Sequence, residues 1–383
     1  MNQENIETEP YDPFSVMNDF EKHSEKMDTT TSAASINTVQ MNSNIQQPNS
    51  SIPINQPNYV PGFYKSTVSN YLRKQFKGEL QSFKASSGKK TGYSNLDTII
   101  GSMYPGFYVL GAGSSIGKTT FVLQIADQMV DSNESVIYFT LEQSELELVS
   151  KSLSRITALD NMKNTSYAKT AIQIRKGDIT QEVVDAIKKY NQITNLFTII
   201  EGDFQTDMTA IERTVEDYVK TTGTVPVIIV DYLQIIQENT QGTDKTKVDS
   251  ITKRLKMLQR KYNAVVIAIS SINRGNYMLP IDFESFKESG SIEYSADVVW
   301  GLQLQILNDP TFTSAKGIAQ KRALIAAAKA ESPRKVELVC LKNRYGIASY
   351  HCGFYYYPQF DLFRPDPNYK QSMVFNKAPQ IIL

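Results

Sequence analysis

The sequence predicts an α/β fold with a mainly parallel central sheet flanked by helices. From residue 91 onward, short apolar runs alternate with longer segments that have helical periodicity. Two of these runs, residues 225–230 and 265–270, are almost entirely apolar, which is typical of strands that are buried on both faces of a sheet. Strands and helices that alternate in this way favour a parallel sheet with helical crossovers. No internal repeat is visible.

Local periodicity and turn residues define each predicted element. Helices are predicted at residues 64–83, 119–130, 145–156, 208–221 and 250–262. Strands are predicted at residues 107–111, 135–141, 196–201, 225–230, 265–270, 298–304, 336–342 and 348–357.

The composition divides the chain into four parts. Residues 29–59 contain no charged side chain and are rich in Asn, Gln, Ser and Thr, so they cannot bury enough apolar surface to offset their ordering entropy. We therefore predict a disordered acidic and polar tail over residues 1–59. A linker helix is predicted within residues 60–90, the main domain over 91–364, and a C-terminal tail over 365–383.

Charge is unevenly distributed along a chain whose formal net charge is zero. Residues 1–59 carry eight acidic and two basic side chains, a net charge of −6, so residues 60–383 carry +6. A mildly basic body permits a polyanionic partner without requiring one. The two cysteines and two histidines include one adjacent pair, His351 and Cys352, but two ligands do not make a zinc site. We expect them to be ordinary residues of strands.

We also expect a soluble, cytoplasmic protein without a membrane partner. The first residues lack the basic and apolar regions of a secretory signal, and every apolar run is shorter than the ~20 residues that span a bilayer. The low cysteine content fits a reducing compartment.

A phosphate-binding loop lies between one predicted strand and the helix that follows it. Its residues are Ala112, Gly113, Ser114, Ser115, Ile116, Gly117, Lys118 and Thr119, followed by Thr120. They match the P-loop pattern except for alanine at the first position. Backbone N–H groups of such a loop and the helix N-terminus bind phosphates, while the lysine reaches the β- and γ-phosphates and the threonine holds Mg²⁺. Gly113 and Gly117 are expected to allow backbone conformations and a close approach of phosphate that a Cβ atom would hinder.

A dinucleotide-binding loop is the competing interpretation, because Gly111-Ala112-Gly113 begins like GxGxxG. Ile116 occupies the position of the third glycine, which argues against it. The ligands expected from the P-loop are therefore ATP and Mg²⁺.

Two carboxylates complete the predicted hydrolytic site. Asp231 ends the apolar run 225–230 and is expected to reach the metal, while Glu142 follows the strand 135–141. Because ligands bind beyond the carboxyl ends of parallel strands, Glu142 can act as the base that activates water. Glu145 and Glu147 are nearby alternatives on the next helix.

Five ordered motifs resemble the C-terminal RecA-like domain of DnaB-type replicative helicases, which are superfamily 4 helicases. The motifs are TGYSNLD at 91–97, YFTLEQS at 138–144, VDYLQ at 230–234, ESGSIEYSAD at 288–297 and LKNRYG at 341–346. The resemblance spans about residues 64–364. It implies a homo-hexameric ring that moves 5′ to 3′, with ATP between subunits and single-stranded DNA in the channel.

The resemblance also implies roles for individual residues. Arg344 matches the arginine finger that reaches a neighbour's γ-phosphate, with Lys342 beside it, and Lys151 matches a basic residue near the nucleotide base. A guanidinium suits the finger because it is permanently charged and offers several donors. The residues that match DNA-contacting positions are Lys287, Glu288, Gly290 and Arg274.

Two departures from the family pattern leave a second function open. Ser271 stands where the family usually has a glutamine that senses the γ-phosphate, and its shorter side chain puts coupling between hydrolysis and DNA movement in question. The family's N-terminal helical domain has no visible counterpart, although the tail could dock a replication protein. The sequence therefore favours an ATP-dependent replicative DNA helicase, with a RecA-like DNA-binding ATPase of recombination or regulation as the alternative.

Overall fold

The computed structural model describes residues 67–85, 88–203, 206–238, 243–287 and 289–369. The chain divides after residue 87 into two compact units. The predicted disordered tail, residues 1–59, lies outside the described residues. Among those that are described, no helix is both long and apolar enough to cross a membrane.

The described part of the first unit is helical, as predicted for residues 64–83, while the role of this segment as a linker stays a prediction. An α-helix, α1, covers Val68–Tyr71, a π-helical stretch covers Leu72–Phe76, and α2 covers Lys77–Ala85. The Thr67 side chain begins the helix by accepting a hydrogen bond from Asn70 N at 3.3 Å.

The second unit contains a nine-stranded sheet whose order is β3-β2-β4-β5-β1-β6-β7-β8-β9. The strands are β1 Gly106–Ala112, β2 Val136–Thr140, β3 Phe197–Glu201, β4 Val227–Asp231, β5 Val265–Ser271, β6 Val298–Leu304, β7 Arg334–Asn343, β8 His351–Tyr357 and β9 Leu362–Pro365. The first six strands in the spatial order are parallel to their neighbours, and β7, β8 and β9 continue the sheet in antiparallel pairs. The predicted α/β fold with a mainly parallel sheet is confirmed.

The helices of the second unit connect these strands. They are α3 Ser94–Ile100, α4 Lys118–Asp131, α5 Glu145–Asp160, α6 Ala171–Arg175, α7 Gln181–Asn191, α8 Met208–Thr222, α9 Asp244–Tyr262, α10 Ser289–Ser295, α11 Pro310–Thr313 and α12 Ile318–Ala330.

Every predicted strand exists, but some boundaries were wrong. β8 begins at His351 instead of residue 348, because Ser349 has a left-handed backbone with φ of 60° that cannot continue a strand. β4 begins at Val227, since Pro226 has no N–H to donate to a neighbouring strand.

The sheet lies between two apolar layers. Alternate residues of β1 point to opposite layers, with Tyr108 and Leu110 in one and Phe107 and Val109 in the other. α4 covers the first layer and its Phe121 side chain is fully buried there, while α8 and α9 cover the second layer. A sheet that is buried on both faces explains the continuous apolar runs in the sequence.

Parallel register brings the ends of four strands to one edge, which we call the carboxyl edge. Ala112 of β1 pairs with Ser271 of β5, and Thr140 of β2 pairs with Asp231 of β4. The opposite, amino edge is where β6 begins and β7 ends, because these two strands are antiparallel and Val298 pairs with Asn343.

Candidate active site

The phosphate-binding loop joins β1 to α4 at the carboxyl edge. Gly117 is the N-cap of α4 and has a φ of 98°, which L side chains rarely adopt. A Cβ atom at Gly117 would lie 2.9 Å from the Phe363 ring and 3.0 Å from the Tyr356 ring, so glycine is required there. At Gly113 the nearest atoms to a Cβ would be 3.7 Å away, an ordinary contact. The positive φ of Gly117 agrees with the expected backbone role of this residue, and the close approach of phosphate to the two glycines stays a prediction.

The first residues of α4 present a cation and a hydroxyl at this edge. Lys118 Nζ lies 5.7 Å from the centroid of the Tyr232 ring, and the described residues give it no carboxylate partner. Thr119 is buried beside Asp231, whose ionisation it favours. Thr120 Oγ1 instead donates to Asp361 Oδ1 at 2.9 Å, so that hydroxyl fastens α4 to the segment before β9.

Asp231 has the environment of a metal-binding carboxylate. Its Oδ2 accepts a hydrogen bond from Tyr138 at 2.9 Å, whereas its buried Oδ1 has no partner among the described residues. Burial raises the pKa of Asp231, although Thr119, Tyr138 and Lys118 oppose this effect. A buried acceptor oxygen without a donor, next to a threonine hydroxyl, fits Mg²⁺ and its bound water.

Glu142 lies next to Asp231 with its side chain exposed to solvent. Leu141 N donates to Asp231 O at 2.9 Å and so fixes the chain immediately before Glu142. The carboxylate contributes to the raised pKa of Asp231, which reflects their proximity. No hydrogen bond or ion pair involves the Glu142 carboxylate in the described part of the chain, so it is available to a water molecule.

Of the two alternative carboxylates, only that of Glu147 is held by structural contacts. Glu147 forms a capping box with Ser144 at the start of α5 and an ion pair with Arg175. Glu145 is exposed, and its backbone N–H donates to Glu201 at 2.9 Å.

Ser271 is linked to a glutamine that the sequence analysis did not single out for this role. Gln234 Nε2 donates to Ser270 Oγ at 2.9 Å, and Ser271 N donates to Gln234 Oε1 at 3.2 Å. An amide therefore lies at the end of β5, but it comes from the segment after β4. The VDYLQ motif contained this residue, but only the register of β4 and β5 reveals its contact.

Arg344 and Lys342 lie at the amino edge, opposite the P-loop of the same chain. Arg344 Nη1 contacts Asp297 Oδ1 at 3.1 Å, and the Arg344 side chain is about half exposed. Lys342 Nζ donates to the backbone oxygen of Glu293. Burial and the charge of Arg344 lower the pKa of Lys342. Neither side chain is brought to the P-loop of its own chain.

Lys151 forms an ion pair with Asp361 at 2.7 Å, beside a cavity of about 500 Å³ that Gln143 and Tyr356 also line. Two residues that line it lie near the phosphate-binding loop, since the Tyr356 ring is next to Gly117 and Asp361 accepts a hydrogen bond from Thr120. The contact of Lys151 with the nucleotide base stays a prediction.

Two basic residues that the sequence analysis missed contact the phosphate-binding loop directly. Lys329 Nζ donates to Ser114 O at 3.3 Å, and Arg334 Nη1 donates to Ser115 O at 3.0 Å. Lys329 lies in α12, within the connection between β6 and β7, and Arg334 is the first residue of β7, so both are far from the loop in sequence. No spacing pattern identifies them, because their approach depends on how that connection folds back onto the carboxyl edge.

The residues matched to DNA contacts lie around the segment that joins β5 to β6. Lys287 is exposed and its N–H donates to Ser271 O at 3.4 Å, and Gly290 lies in α10. Arg274 begins a short 3₁₀ turn, while Glu288 lies outside the described residues. A backbone hydrogen bond thus links Lys287, in the segment for which DNA contacts are predicted, to Ser271.

Known proteins with similar sequences are replicative helicases. The chain is 29% identical over 224 residues to a probable replicative DNA helicase of Trieres chinensis, covering 56% of this chain and 46% of the relative. It is 24% identical over 255 residues to the replicative DNA helicase DnaB of Haemophilus influenzae, covering 63% and 51%. The replicative DNA helicase DnaC of Bacillus subtilis is 29% identical over 222 residues, with 56% and 46% covered. The chain therefore spans about half the length of these curated relatives.

Two solved structures share the fold at low sequence identity. The first is a DnaB-like replicative helicase described with its interactions with primase, with a TM-score of 0.60, 18% identity and coverage of 78% of this chain and 66% of that chain. The second is the ATPase domain of another protein, with a TM-score of 0.59, 18% identity and coverage of 80% and 100%. The fold is that of a RecA-like P-loop NTPase.

The family model for the DnaB-like helicase C-terminal domain matches residues 88–364, which includes the phosphate-binding loop, both candidate carboxylates and Arg344. This match covers most of the chain and nearly all of the second unit. The chain belongs to the DnaB-like helicase C-terminal domain family.

Proposed function

We propose that this protein is an ATP-dependent DNA helicase of DNA replication, which forms a ring around single-stranded DNA and hydrolyses ATP between subunits. Family membership, the names of its relatives and the grouping of hydrolytic residues at one sheet edge support the proposal. With it we propose a homo-hexamer, 5′ to 3′ movement and a cytoplasmic location.

The carboxyl edge supplies the groups that hydrolysis requires within one chain. Residues 112–120 are the proposed phosphate cradle, in which Lys118 contacts the β- and γ-phosphates. Thr119 and Asp231 would hold Mg²⁺, which neutralises phosphate charge when bound. The exposed Glu142 carboxylate orients the attacking water and accepts its proton. Lys151 is proposed to lie near the base.

The position of Arg344 is the main observation that supports an active site shared between two subunits. An arginine at the amino edge cannot stabilise charge on a phosphate held at the carboxyl edge of the same sheet. In a head-to-tail ring, however, the amino edge of one subunit can face the carboxyl edge of the next. We assign Arg344 as the finger that enters the neighbour's site, with Lys342 beside it.

DNA is proposed to contact the segment between β5 and β6. Arg274, Lys287, Glu288 and Gly290 are the candidate contacts, through charge and backbone N–H groups that do not read sequence. Ser271, held by Gln234, is the candidate connection between the γ-phosphate and this segment. A replication protein remains the proposed partner of residues 1–59.

A forked-DNA unwinding assay with mixed subunits tests the proposal. Arg344→Ala protein is titrated into wild-type protein at constant total concentration, and the unwinding rate is measured. Because unwinding by a ring requires its sites to act together, one altered subunit should impair the whole ring, and the unwinding rate should fall more steeply than the wild-type fraction. A linear decline would contradict coupled hydrolysis around a ring. Wild-type protein that hydrolyses ATP with DNA but separates no strands would favour the recombination or regulatory ATPase instead.

A further inference from the structure

The connection between β6 and β7 carries a basic surface that none of the assigned roles uses. We call it the α12 surface, and its basic residues are Lys316, Lys321, Arg322, Lys329, Arg334 and Lys335. Between residues 314 and 335 the sequence contains a single acidic residue, Glu331. Residues 314–335, which end with the first two residues of β7, therefore carry a net charge of +5, and such a charge attracts a polyanion.

α12 contributes little to the apolar core. The 13-residue helix has no buried residue, and its Ile318 side chain is 61% exposed. Lys316 and Arg322 are exposed and form no ion pair in the described part of the chain. Ile325 and Ala328 are partly buried against the first apolar layer, so core packing accounts for only one face of the helix. The charges of Lys316 and Arg322 on the exposed part are available to a ligand.

The same surface contacts the phosphate-binding loop. Lys329 and Arg334 donate their hydrogen bonds to the carbonyl oxygens of Ser114 and Ser115. Arg322 and Lys329 lie seven residues apart, two helical turns, and so share one face of α12. A ligand bound to this face therefore contacts a helix that is hydrogen-bonded to the phosphate-binding loop.

A cavity of about 370 Å³ separates α12 from the segment after β5. Arg322 and Lys329 line it from α12, Asn276 and Tyr277 line it from the other side, and Gly113 of the phosphate-binding loop lines its end. The Tyr277 ring comes within 3.7 Å of the position that a Gly113 Cβ would occupy. Cationic groups facing an aromatic ring across a cleft are the combination that binds single-stranded nucleic acid without reading sequence.

We propose that the cavity between α12 and residues 276–281 is a second contact for single-stranded DNA, in which Arg322 binds a phosphate and Tyr277 stacks on a base. The inference rests on the proposed function and deepens it. Charge complementarity identifies the occupant as a polyanion, and the adjoining segment continues to Lys287, the candidate DNA contact. DNA bound here reaches the phosphate-binding loop through Lys329 and Tyr277, which gives a route from DNA to nucleotide that does not pass through Ser271.

Fluorescence anisotropy of a labelled oligo-dT with the full-length protein, over a series of salt concentrations, tests this contact. Arg322→Ala should bind several-fold more weakly at low salt, and the slope of log K against log salt should fall by about 0.7, the value for one lost phosphate contact. Arg213→Ala is the matched control, because Arg213 is also an exposed arginine within a helix but lies on α8. It should keep the wild-type affinity and slope.

Tyr277→Leu separates stacking from charge. It should weaken binding while leaving the salt slope unchanged, since no phosphate contact is lost. Thermal melting followed by circular dichroism checks that both variants remain folded.

The outcomes distinguish this inference from the proposed function. If wild-type protein binds DNA but Arg322→Ala keeps the wild-type affinity and slope, the second contact is wrong while the proposed function stands. Tighter DNA binding by Arg322→Ala would also overturn it. If the wild-type protein itself fails to bind oligo-dT, both proposals fail.

Discussion

Gly117 is fixed by two independent constraints, its backbone conformation and the rings behind it. Its φ of 98° is unfavourable for a residue with a side chain, and the stacked rings of Tyr356 and Phe363 occupy the space that a Cβ would need. The glycine therefore forms the turn into α4 for reasons internal to the protein, before any phosphate is considered.

The Gly117→Ala substitution should lower the free energy of unfolding by about 1–3 kcal/mol, because it adds backbone strain and a steric clash. Urea denaturation of the nucleotide-free protein measures this. Gly113→Ala is the control and should cost less, since a Cβ there meets only ordinary contacts. Equal losses for the two variants would show that the rings move aside.

Asp231 should destabilise the nucleotide-free, metal-free protein at neutral pH. Burial raises the pKa of its carboxyl above the unfolded value, so the folded state favours the protonated form. Stability from this group is therefore highest at low pH and declines as the pH rises from the unfolded pKa, about 3.9, through the raised folded pKa.

Asp231→Asn should consequently raise the urea midpoint at pH 7 while abolishing ATP hydrolysis. The gain should shrink as the pH is lowered toward 4, where the wild-type carboxyl becomes protonated in both states. Activity is measured in the presence of Mg²⁺, and stability without it. A variant that is less stable at pH 7 would contradict the interpretation that the buried carboxylate awaits a cation.

At the scale of secondary-structure elements, Asp297 holds the amino edge together. It accepts hydrogen bonds from Phe107 N at 2.8 Å in β1, from Lys256 in α9 and from Arg344 after β7. Burial opposes ionisation of Asp297, but the hydrogen bonds and positive charges outweigh it and lower the pKa of its carboxyl. One carboxylate thus orients the candidate finger and joins three elements.

Asp297→Asn should lower the free energy of unfolding at pH 7 by about 1.5–3 kcal/mol, the range for hydrogen bonds to charged groups. Because the folded pKa is depressed, the wild-type advantage is complete above the unfolded pKa and is lost as the pH falls through the folded value. Urea denaturation at pH 7 and pH 3 checks both statements. A difference that persists undiminished at pH 3 would exclude the ionic contribution.

The sequence predicts elements best where they are buried on both sides of the sheet. β4 and β5 are recognisable because a short, continuous apolar run is typical of a strand that is buried on both faces. The parallel register of the strands then brings Glu142, Asp231 and Ser271 to the P-loop. α6, α7 and α12 escaped prediction because their apolar stripes are short, and no residue of α12 is fully buried. Gln234 and Arg334 could not be assigned contacts, since these depend on tertiary register and on the path of one long connection.

At the scale of the whole molecule, the two halves of the proposed active site lie at opposite edges of one sheet. Such an arrangement is incomplete in a single chain and becomes complete in a head-to-tail assembly, where every interface joins one carboxyl edge to one amino edge. In a closed ring, the phosphate-binding loop and the Arg344 side chain of every subunit each take part in an active site.

Complementation between two inactive variants separates a finger that acts on the neighbour from one that acts on its own chain. Lys118→Ala removes the phosphate-binding lysine, and Arg344→Ala removes the finger, so each protein alone should lose DNA-stimulated ATP hydrolysis. In an equal mixture, half of the cradles and half of the fingers are intact, so about a quarter of the interfaces should join two intact halves. The steady-state ATPase rate of the mixture measures this recovery.

Mixing Lys118→Ala with the Lys118→Ala/Arg344→Ala double variant is the control and should recover nothing. If the first mixture also stays inactive although mixed assemblies are detected by mass measurement, Arg344 does not complete a neighbour's site, because a residue that acts only within its own chain cannot be supplied by another subunit.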